Sequence, residues 1–455
     1  MEKEQTKYKI LMFPWLAHGH INPFLELAKK LPTSNFTIYL CSTRVNLNSI
    51  ELATNHNASI KLIELQIPST SELPPEMHTT KNLPSNHIPT LLKAFQTSSS
   101  SFSEILHSIK PDLLIYDFFQ PWAPKLASSL NIPSVYFSTS GTTIFSFYHH
   151  NHTMGTDSPF PYEAIYLHDH EKVYLEKLRP FFIQCLKDAD EEDFAFGNFT
   201  LSTDIVLVKS SRVVEDKYID YLSLLSKKRI VPTGPLVVHA NDDHYEERDE
   251  TMEWLSEKDD SSVVYISFGT EYFLSNDQIS EIAKGLQLCK VNFLWIIRFP
   301  NEEKTVSLQE ALPDRFLETV KGRGKVIEKW APQTKILAHP SVGGFVSHCG
   351  WSSIMESMYF GVPVIGMPMK SDQPVNARLP VDVGVGVEVE KGKNGNYLGD
   401  EVAKAISKVM VEKEFYEGLR ENAKRLSQNM KENEEQEGNE TAEQLLRICM
   451  KNTKK

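Results

Sequence analysis

Short apolar runs alternate with amphipathic stretches through both halves of this chain, and that rhythm is its strongest constraint. The strand candidates in the first half are Lys9–Phe13, Phe36–Ser42, Ile60–Leu65, Asp112–Tyr116, Ser134–Phe137 and Asp204–Val208. Those in the second are Ser262–Ser267, Asn292–Arg298, Val326–Glu328, Gly344–Ser347, Val362–Gly366 and Val385–Val389. Most are continuously apolar, not alternating, as strands buried on both faces of a parallel sheet must be. Helical patterns such as Pro23–Leu31 and Ser275–Leu288 lie between them. The pattern predicts βαβ units and an α/β fold of two doubly wound parallel sheets facing each other across a cleft.

The predicted boundaries follow from punctuation and charge. A first domain covers 1–235, an acidic linker 236–255 and a second domain 256–430. The linker follows Pro232-Thr-Gly-Pro235 and contains the acidic run Asn241–Glu250. Residues 431–455 begin as a charged stretch, yet Ala442, Leu445, Leu446 and Ile448–Met450 restore an apolar stripe. A final helix is expected there, packing back on the first domain.

Forty-eight basic against 60 acidic side chains leave the 455-residue chain with a net charge of −12. That average field argues against nucleic acid and anionic membrane as partners, but not against one small anion in a local site. No run of about 20 apolar residues is present, so no membrane span is expected. Five widely spaced cysteines without a CxxC suggest neither a disulfide framework nor a zinc site. The expectation is a cytoplasmic monomer.

The first strand is followed by Pro14-Trp-Leu-Ala-His-Gly-His-Ile-Asn-Pro23, which lacks the G-x-G-x-x-G of a dinucleotide-binding turn. Asp188-Ala-Asp190 has the form of a metal–diphosphate pair, but sits in an acidic run that reads as a solvated helix face. His149, His150 and His152, and separately His168 and His170, lack a carboxylate or thiolate at ligand spacing. A metal is not expected.

From Trp330 to Gln373 the special residues are dense. Trp330-Ala-Pro-Gln333 is followed by Gly344-Phe-Val-Ser-His348-Cys-Gly350-Trp-Ser-Ser353, then Glu356, Gly361-Val-Pro363 and Asp372-Gln373. A strand running through a glycine turn into a helix near Trp351 aims backbone N–H groups and a positive dipole end at the sheet's carboxyl edge. Such a place suits a phosphate. His348 and Ser353 add donors, Trp330 a flat face, and Asp372 and Gln373 partners for vicinal hydroxyls. Taken singly, Ser353-x-x-Glu356 also fits a capping box, and Trp330 and Trp351 also fit a core.

This 44-residue segment resembles, over its full length and without insertion, the signature of plant family-1 UDP-sugar glycosyltransferases. The resemblance extends to the His20 segment, Leu113-Leu-Ile-Tyr-Asp117 and the Ser267-Phe-Gly-Thr270 loop. It implies a GT-B fold with two Rossmann-like domains. It also implies that Trp330, with Ala331 beside it, stacks on uracil and that Gln333 and Glu356 hold the ribose. His348, Gly350, Ser353, Ser267 and Thr270 would hold the diphosphate, and Trp351, Asp372 and Gln373 the sugar. The chain departs from the pattern at Ser352, where the family usually has Asn, which weakens the contact normally made there.

Transfer to an alcohol needs a base, and a neutral His serves near pH 7. His20 opens a helix just after the first strand, and Asp117 ends another strand on the same sheet edge. Asp117 would orient and support the His20 imidazole, roles that the resemblance also assigns. His18 is the competitor, expected on the loop's other side. Phe118, Phe119, Gln120, Trp122, Ser140 and Phe145 are the candidate acceptor residues.

The implied reaction is an inverting transfer from a UDP-sugar, without cofactor or metal, to a small molecule. Gln373 resembles the glucose-using members, so UDP-glucose is expected, with xylose, rhamnose and glucuronic acid as the alternative sugars. Pro14-Trp-Leu-Ala-His18, Tyr39-Leu-Cys-Ser-Thr43 and Tyr116-Asp-Phe-Phe-Gln-Pro-Trp-Ala-Pro124 resemble the plant branch that adds sugar to an existing glycoside, a flavonoid or terpenoid glucoside. Direct transfer to an aglycone and a non-catalytic UDP-sugar-binding protein are the alternatives.

Overall fold

A computed structural model describes residues 7–54, 59–81, 83–155, 158–172, 196–238, 250–270, 272–299, 308–328 and 331–452. Trp330, the Asp188 and Asp190 pair and residues 239–249 of the expected linker 236–255 lie outside them.

Two compact units are present, Met1–Pro159, Leu175–Leu236 and Glu432–Lys455 in one, Phe160–Tyr174 and Val237–Lys431 in the other. The first is built on seven strands: β1 (Tyr8–Phe13), β2 (Phe36–Ser42), β3 (Ile60–Glu64), β4 (Leu113–Tyr116), β5 (Ser134–Ser138), β6 (Ile205–Val208) and β7 (Arg229–Pro232). Their order is β3-β2-β1-β4-β5-β6-β7, and every pairing is parallel. Side chains alternate between two cores. Leu11 and Phe13 of β1 join Leu114 and Tyr116 of β4 on one face, while Ile10 and Met12 join Leu113 and Ile115 on the other. Burial on both faces is why these strands are apolar at every position.

The second unit has six strands: β8 (Val263–Ser267), β9 (Asn292–Ile296), β10 (Gly324–Ile327), β11 (Val342–Ser347), β12 (Val364–Gly366) and β13 (Gly386–Glu388). Their order is β10-β9-β8-β11-β12-β13, again all parallel. Val264 and Ile266 enter one core and Val263 and Tyr265 the other. Each sheet therefore reverses its winding direction once, between β1 and β4 in the first unit and between β8 and β11 in the second. Ligands of doubly wound sheets bind outside the strand ends at this point.

Four features depart from the sequence reading. Arg229–Pro232, read as the approach to the linker, is edge strand β7, where the missing N–H of Pro232 costs no ladder bond. The start of the expected linker is not solvated either, since Leu236 and Val237 are buried, and its end, Glu250–Ser256, is helical. Residues Phe160–Tyr174, placed by sequence in the first domain, group with the second unit. Their Glu171 forms a buried ion pair with Arg378 at 2.9 Å, and Arg378 lies 4.4 Å over the Tyr166 ring.

The final helix also starts well before 431. It runs unbroken over Lys413–Asn452, and Ala442, Leu445, Ile448 and Cys449 join the Ile10 and Met12 core. Glu437 fastens it there: one carboxylate oxygen accepts from Ser211 Oγ at 2.9 Å and Arg212 N–H at 2.8 Å, at the start of helix Arg212–Ser226. Among the described residues no helix is long and apolar enough to cross a membrane.

Candidate active site

In the first unit, the chain leaves β1, turns, and enters helix His18–Lys30, so His20 sits in that helix's first turn. Asp117 directly follows β4, whose Tyr116 is in register with Phe13 of β1. The reversal point thus brings together two residues 97 positions apart. His20 Nδ1 lies 2.7 Å from Asp117 Oδ2. A carboxylate accepts, so Nδ1 carries a proton, and in the neutral ring Nε2 then holds the lone pair. The imidazole is 23% exposed and the carboxylate 1%; the ring faces outward and its partner does not.

Asp117 is immobilised from behind. Its Oδ2 also accepts from the Trp15 N–H at 2.9 Å, and its Oδ1 from the Phe118 N–H at 2.7 Å. Thr139, in the loop after β5, sets its hydroxyl 3.0 Å from His20 Nδ1. Sequence reasoning placed Thr139 only within Ser138–Gly141, a segment expected to line the acceptor pocket, and did not foresee its contact with His20. His18 points elsewhere, to Ser49 Oγ at 3.0 Å. Burial, then the charge of Lys81, hold it down at about 4.

The candidate acceptor residues divide. The Phe119 ring lies 5.9 Å from that of His20, with Phe118 packed edge-on against Phe119 and Phe145 6.3 Å beyond. These three, all half-buried, form an aromatic row beginning at the imidazole. Ser140 is half-buried and accepts through its carbonyl from Ser138 Oγ. Gln120 is not a pocket residue. It is wholly buried, and its Nε2 donates to the Phe13 carbonyl at the end of β1. Trp122 packs edge-on against Phe13 and Phe102, which makes it part of the aromatic core.

In the second unit the reversal point is built from backbone. Ser267 ends β8 in register with Ser347 at the end of β11. After Ser347 the chain passes through His348 and Cys349, the latter left-handed at φ 63°. The Ser347 hydroxyl accepts the Cys349 N–H at 3.1 Å. Helix Trp351–Phe360 then begins with Gly350 as N-cap, which has no side chain to cap with. The first N–H groups of a helix lack intrahelical partners, and here they open at the sheet's carboxyl edge.

The His348 ring is held between two glycines. A Cβ at Gly269 would approach it to 2.7 Å, and one at Gly350 to 2.6 Å. Gly269 also has φ +73°, which L side chains disfavour. Burial, then the charge of Lys370, push His348 down to about 4, so at neutral pH it offers hydrogen bonds and no charge. Thr270 is exposed beyond this loop, its carbonyl accepting from Arg298 at 3.2 Å.

Gln333 opens helix Gln333–Leu337, next to the half-buried Ala331. Its Nε2 donates to Glu356 Oε2 at 2.7 Å and to Ser353 Oγ at 3.1 Å. The capping-box reading of Ser353 and Glu356 is thereby replaced. Ser353 stands three residues inside the helix, not at its N-cap, and Glu356 engages a neighbouring element. Trp351 is buried and Ser352 half-buried.

Asp372 is the N-cap of helix Gln373–Asp382, but its side chain does not cap it. Instead, Oδ2 accepts from Asn376 Nδ2 at 2.8 Å. Gln373 is less available than its sequence suggested. Its Oε1 accepts from both the Met369 and Lys370 N–H groups at 2.9 Å, closing the turn and leaving only the amide nitrogen for a ligand.

The histidines read as unlikely ligands have structural partners. His149 packs 3.9 Å from the Phe196 ring, His150 Nδ1 is 2.6 Å from the Tyr221 hydroxyl, and His168 stacks on His170. Among the described residues no three His, Cys, Asp or Glu side chains are grouped as metal ligands.

The family described as UDP-glucoronosyl and UDP-glucosyl transferase matches residues 97–435. The chain belongs to that family. This UDP-glycosyltransferase is 46% identical over 95% of both chains to a mogroside IIIx synthase of Siraitia grosvenorii. It is 45% identical, over 97% of its own length and 99% of the relative's, to the beta-D-glucosyl crocetin beta-1,6-glucosyltransferase of Gardenia jasminoides. Among solved structures it resembles a UDP-glucosyltransferase from Polygonum tinctorium capable of glucosylating indoxyl. The TM-score is 0.80 and the identity 25%, with 98% of this chain and 100% of that one covered. The two doubly wound units are the Rossmann-like domains of the glycosyltransferase's GT-B fold, and its substrates are a UDP-sugar and a small-molecule acceptor.

Proposed function

We propose that this glycosyltransferase moves glucose from UDP-glucose, with inversion, onto a sugar hydroxyl of a plant flavonoid or terpenoid glucoside, forming a β sugar–sugar linkage. The hydrogen bond from His20 Nδ1 to Asp117 carries the catalytic part of the reading. It fixes the tautomer in which Nε2 accepts the proton of the attacking hydroxyl, and it supports the imidazolium that results. The new bond forms between the acceptor oxygen and the anomeric carbon. The bond to the β-phosphate oxygen breaks, and its electron pair leaves with UDP.

The leaving diphosphate would be met by the N–H groups at Trp351–Ser353, by neutral His348 and by the Ser267–Thr270 loop, with Lys370 as a nearby charge. Such fixed dipoles do the work otherwise done by a cation, so no metal is part of the proposal. Gln333 and Glu356 are already joined as a unit suited to the ribose, with Trp330 assigned to uracil. Asp372 and the amide nitrogen of Gln373 are assigned to the sugar.

The crocetin-glucoside and mogroside activities named for the relatives support a glycoside acceptor. A second reading, direct glucosylation of an aglycone, is favoured by the row Phe118, Phe119 and Phe145, which suits a flat aromatic body. A UDP-release assay with UDP-glucose, run on aglycones and their glucosides in parallel, separates the two. Turnover on glucosides at least tenfold above that on the aglycones is expected, with an axial–axial anomeric coupling in the product. Faster turnover on the aglycones overturns the glycoside reading. No release with either class leaves only a UDP-sugar-binding protein. We further propose a monomer working in the cytoplasm, tested by light scattering and cell fractionation.

A further inference from the structure

Asn376 belongs to no ligand contact considered so far, yet it joins the two halves of the donor site. It is wholly buried on helix Gln373–Asp382. Its Nδ2 donates to Asp372 Oδ2 at 2.8 Å and to the Cys349 carbonyl at 3.2 Å. Cys349 is the left-handed residue of the turn that presents His348 and begins helix Trp351–Phe360. One amide group therefore ties a carboxylate on one helix to the backbone turn leading into another.

We propose that Asn376 is a positioning residue for donor recognition, holding Asp372 in the orientation that meets the sugar and fixing it to the turn that meets the diphosphate. The proposal rests on the assignment of Asp372 to the sugar given above. An aspartate at an N-cap ordinarily accepts from the first backbone N–H groups of its helix; the Asp372 side chain makes no such bond, and its Oδ2 accepts instead from the Asn376 side chain one turn further along. The amide donates to a charged acceptor out of solvent, where such bonds are strong. Nδ2 thus makes one contact on each side of the site, while the Cys349 turn is held independently by the Ser347 hydroxyl, which accepts its N–H at 3.1 Å. Helix Gln373–Asp382 does not depend on Asn376 for its place. Two residues on, buried Arg378 pairs with Glu171 at 2.9 Å and donates to the Pro374 carbonyl at 2.6 Å. Variants at Asn376 are accordingly expected to keep the helix.

The test compares UDP-glucose with UDP, which lacks the sugar. In Asn376→Ala, the KM for UDP-glucose should rise about tenfold, the usual scale for a lost bond to a charged group, while the Kd for UDP measured by calorimetry stays within about twofold. Asn376→Asp keeps the side-chain volume, loses the donor, and should show the same split; it answers the question should the alanine variant not fold. Asp372→Asn is measured beside them. Placing Asn376→Ala on that background should add less than about twofold, because the carboxylate to be oriented is already gone. Equal weakening of UDP and UDP-glucose would make Asn376 a structural support of the Cys349 turn and overturn the proposal. Additive effects in the double variant, or an unchanged KM, would do so too. An unchanged KM in Asp372→Asn would instead overturn the sugar assignment itself, and the inference with it.

Discussion

The two sheets reverse their winding in the same way, yet the sites at their reversal points are built from different materials. At β1 and β4 the functional groups are side chains: an imidazole presented by a helix and a carboxylate clamped by two backbone N–H groups. At β8 and β11 they are mostly backbone, with glycines at 269 and 350 making room for a single ring. A proton acceptor must be a side chain, because no backbone group is basic near pH 7. A diphosphate is better met by several fixed dipoles that need not reorganise. On the function proposed above, the same topology serves chemistry in one unit and binding in the other, and substitutions should separate the two.

The largest separation is expected at Asp117. Asp117→Asn should lower kcat by roughly 10²–10⁴-fold, the scale of acid–base assistance, with the Kd for UDP unchanged when measured by calorimetry. Gly269→Ala should do the reverse. A Cβ 2.7 Å from the His348 ring at a positive φ must displace the ring, and we expect the Kd for UDP to weaken about tenfold or more. A Gly269→Ala enzyme with normal UDP affinity would break the comparison.

Smaller effects sharpen it. Ser352→Asn, which restores the family's usual residue, should change the donor KM by about twofold and leave the thermal midpoint alone. A hundredfold fall in activity would show that Ser352 has a role of its own. Glu437 tests that stability is set apart from both sites. Burial raises its pKa to about 7, above the ordinary carboxylate value, so its favourable contribution is fully present below about pH 4.5 and is lost as pH rises through 7. Relative to wild type, Glu437→Gln should therefore gain Tm as pH rises from 5 to 8, by roughly a few degrees, with transfer activity unaffected. A Tm difference independent of pH would contradict the raised pKa.

The sheet centres were plain in the sequence because burial on both faces leaves uninterrupted apolar runs, as at Leu113–Tyr116. Legibility failed where a second force set the outcome. Strand β7 is four residues long and ends in Pro232, which reads as a turn until its edge position is known. The helix from Lys413 onward is polar along much of its length, so its start was hidden, while the apolar stripe of its last turns was legible and packs on the first unit's core. Ser353 and Glu356 have capping-box spacing, but the box requires Ser353 at the N-cap, and the true N-cap, Gly350, lies three residues earlier. Gln120, Trp122 and Gln373 show where residue type alone is a poor guide. Their residue types suit a ligand, while the carbonyl, the rings and the two N–H groups that occupy them are invisible in a linear pattern. Asn376 was missed for the converse reason, since a buried amide inside a helix looks like any other polar residue.

The measurement that bears most directly on this division of labour is a pair of numbers on His20→Ala: the turnover with UDP-glucose and a responsive glucoside, and the Kd for UDP. Turnover should fall by at least about 10²-fold while UDP binds as to wild type. Retention of most of the turnover would remove His20 as the base, and a parallel loss of UDP affinity would erase the distinction between the catalytic and binding reversal points.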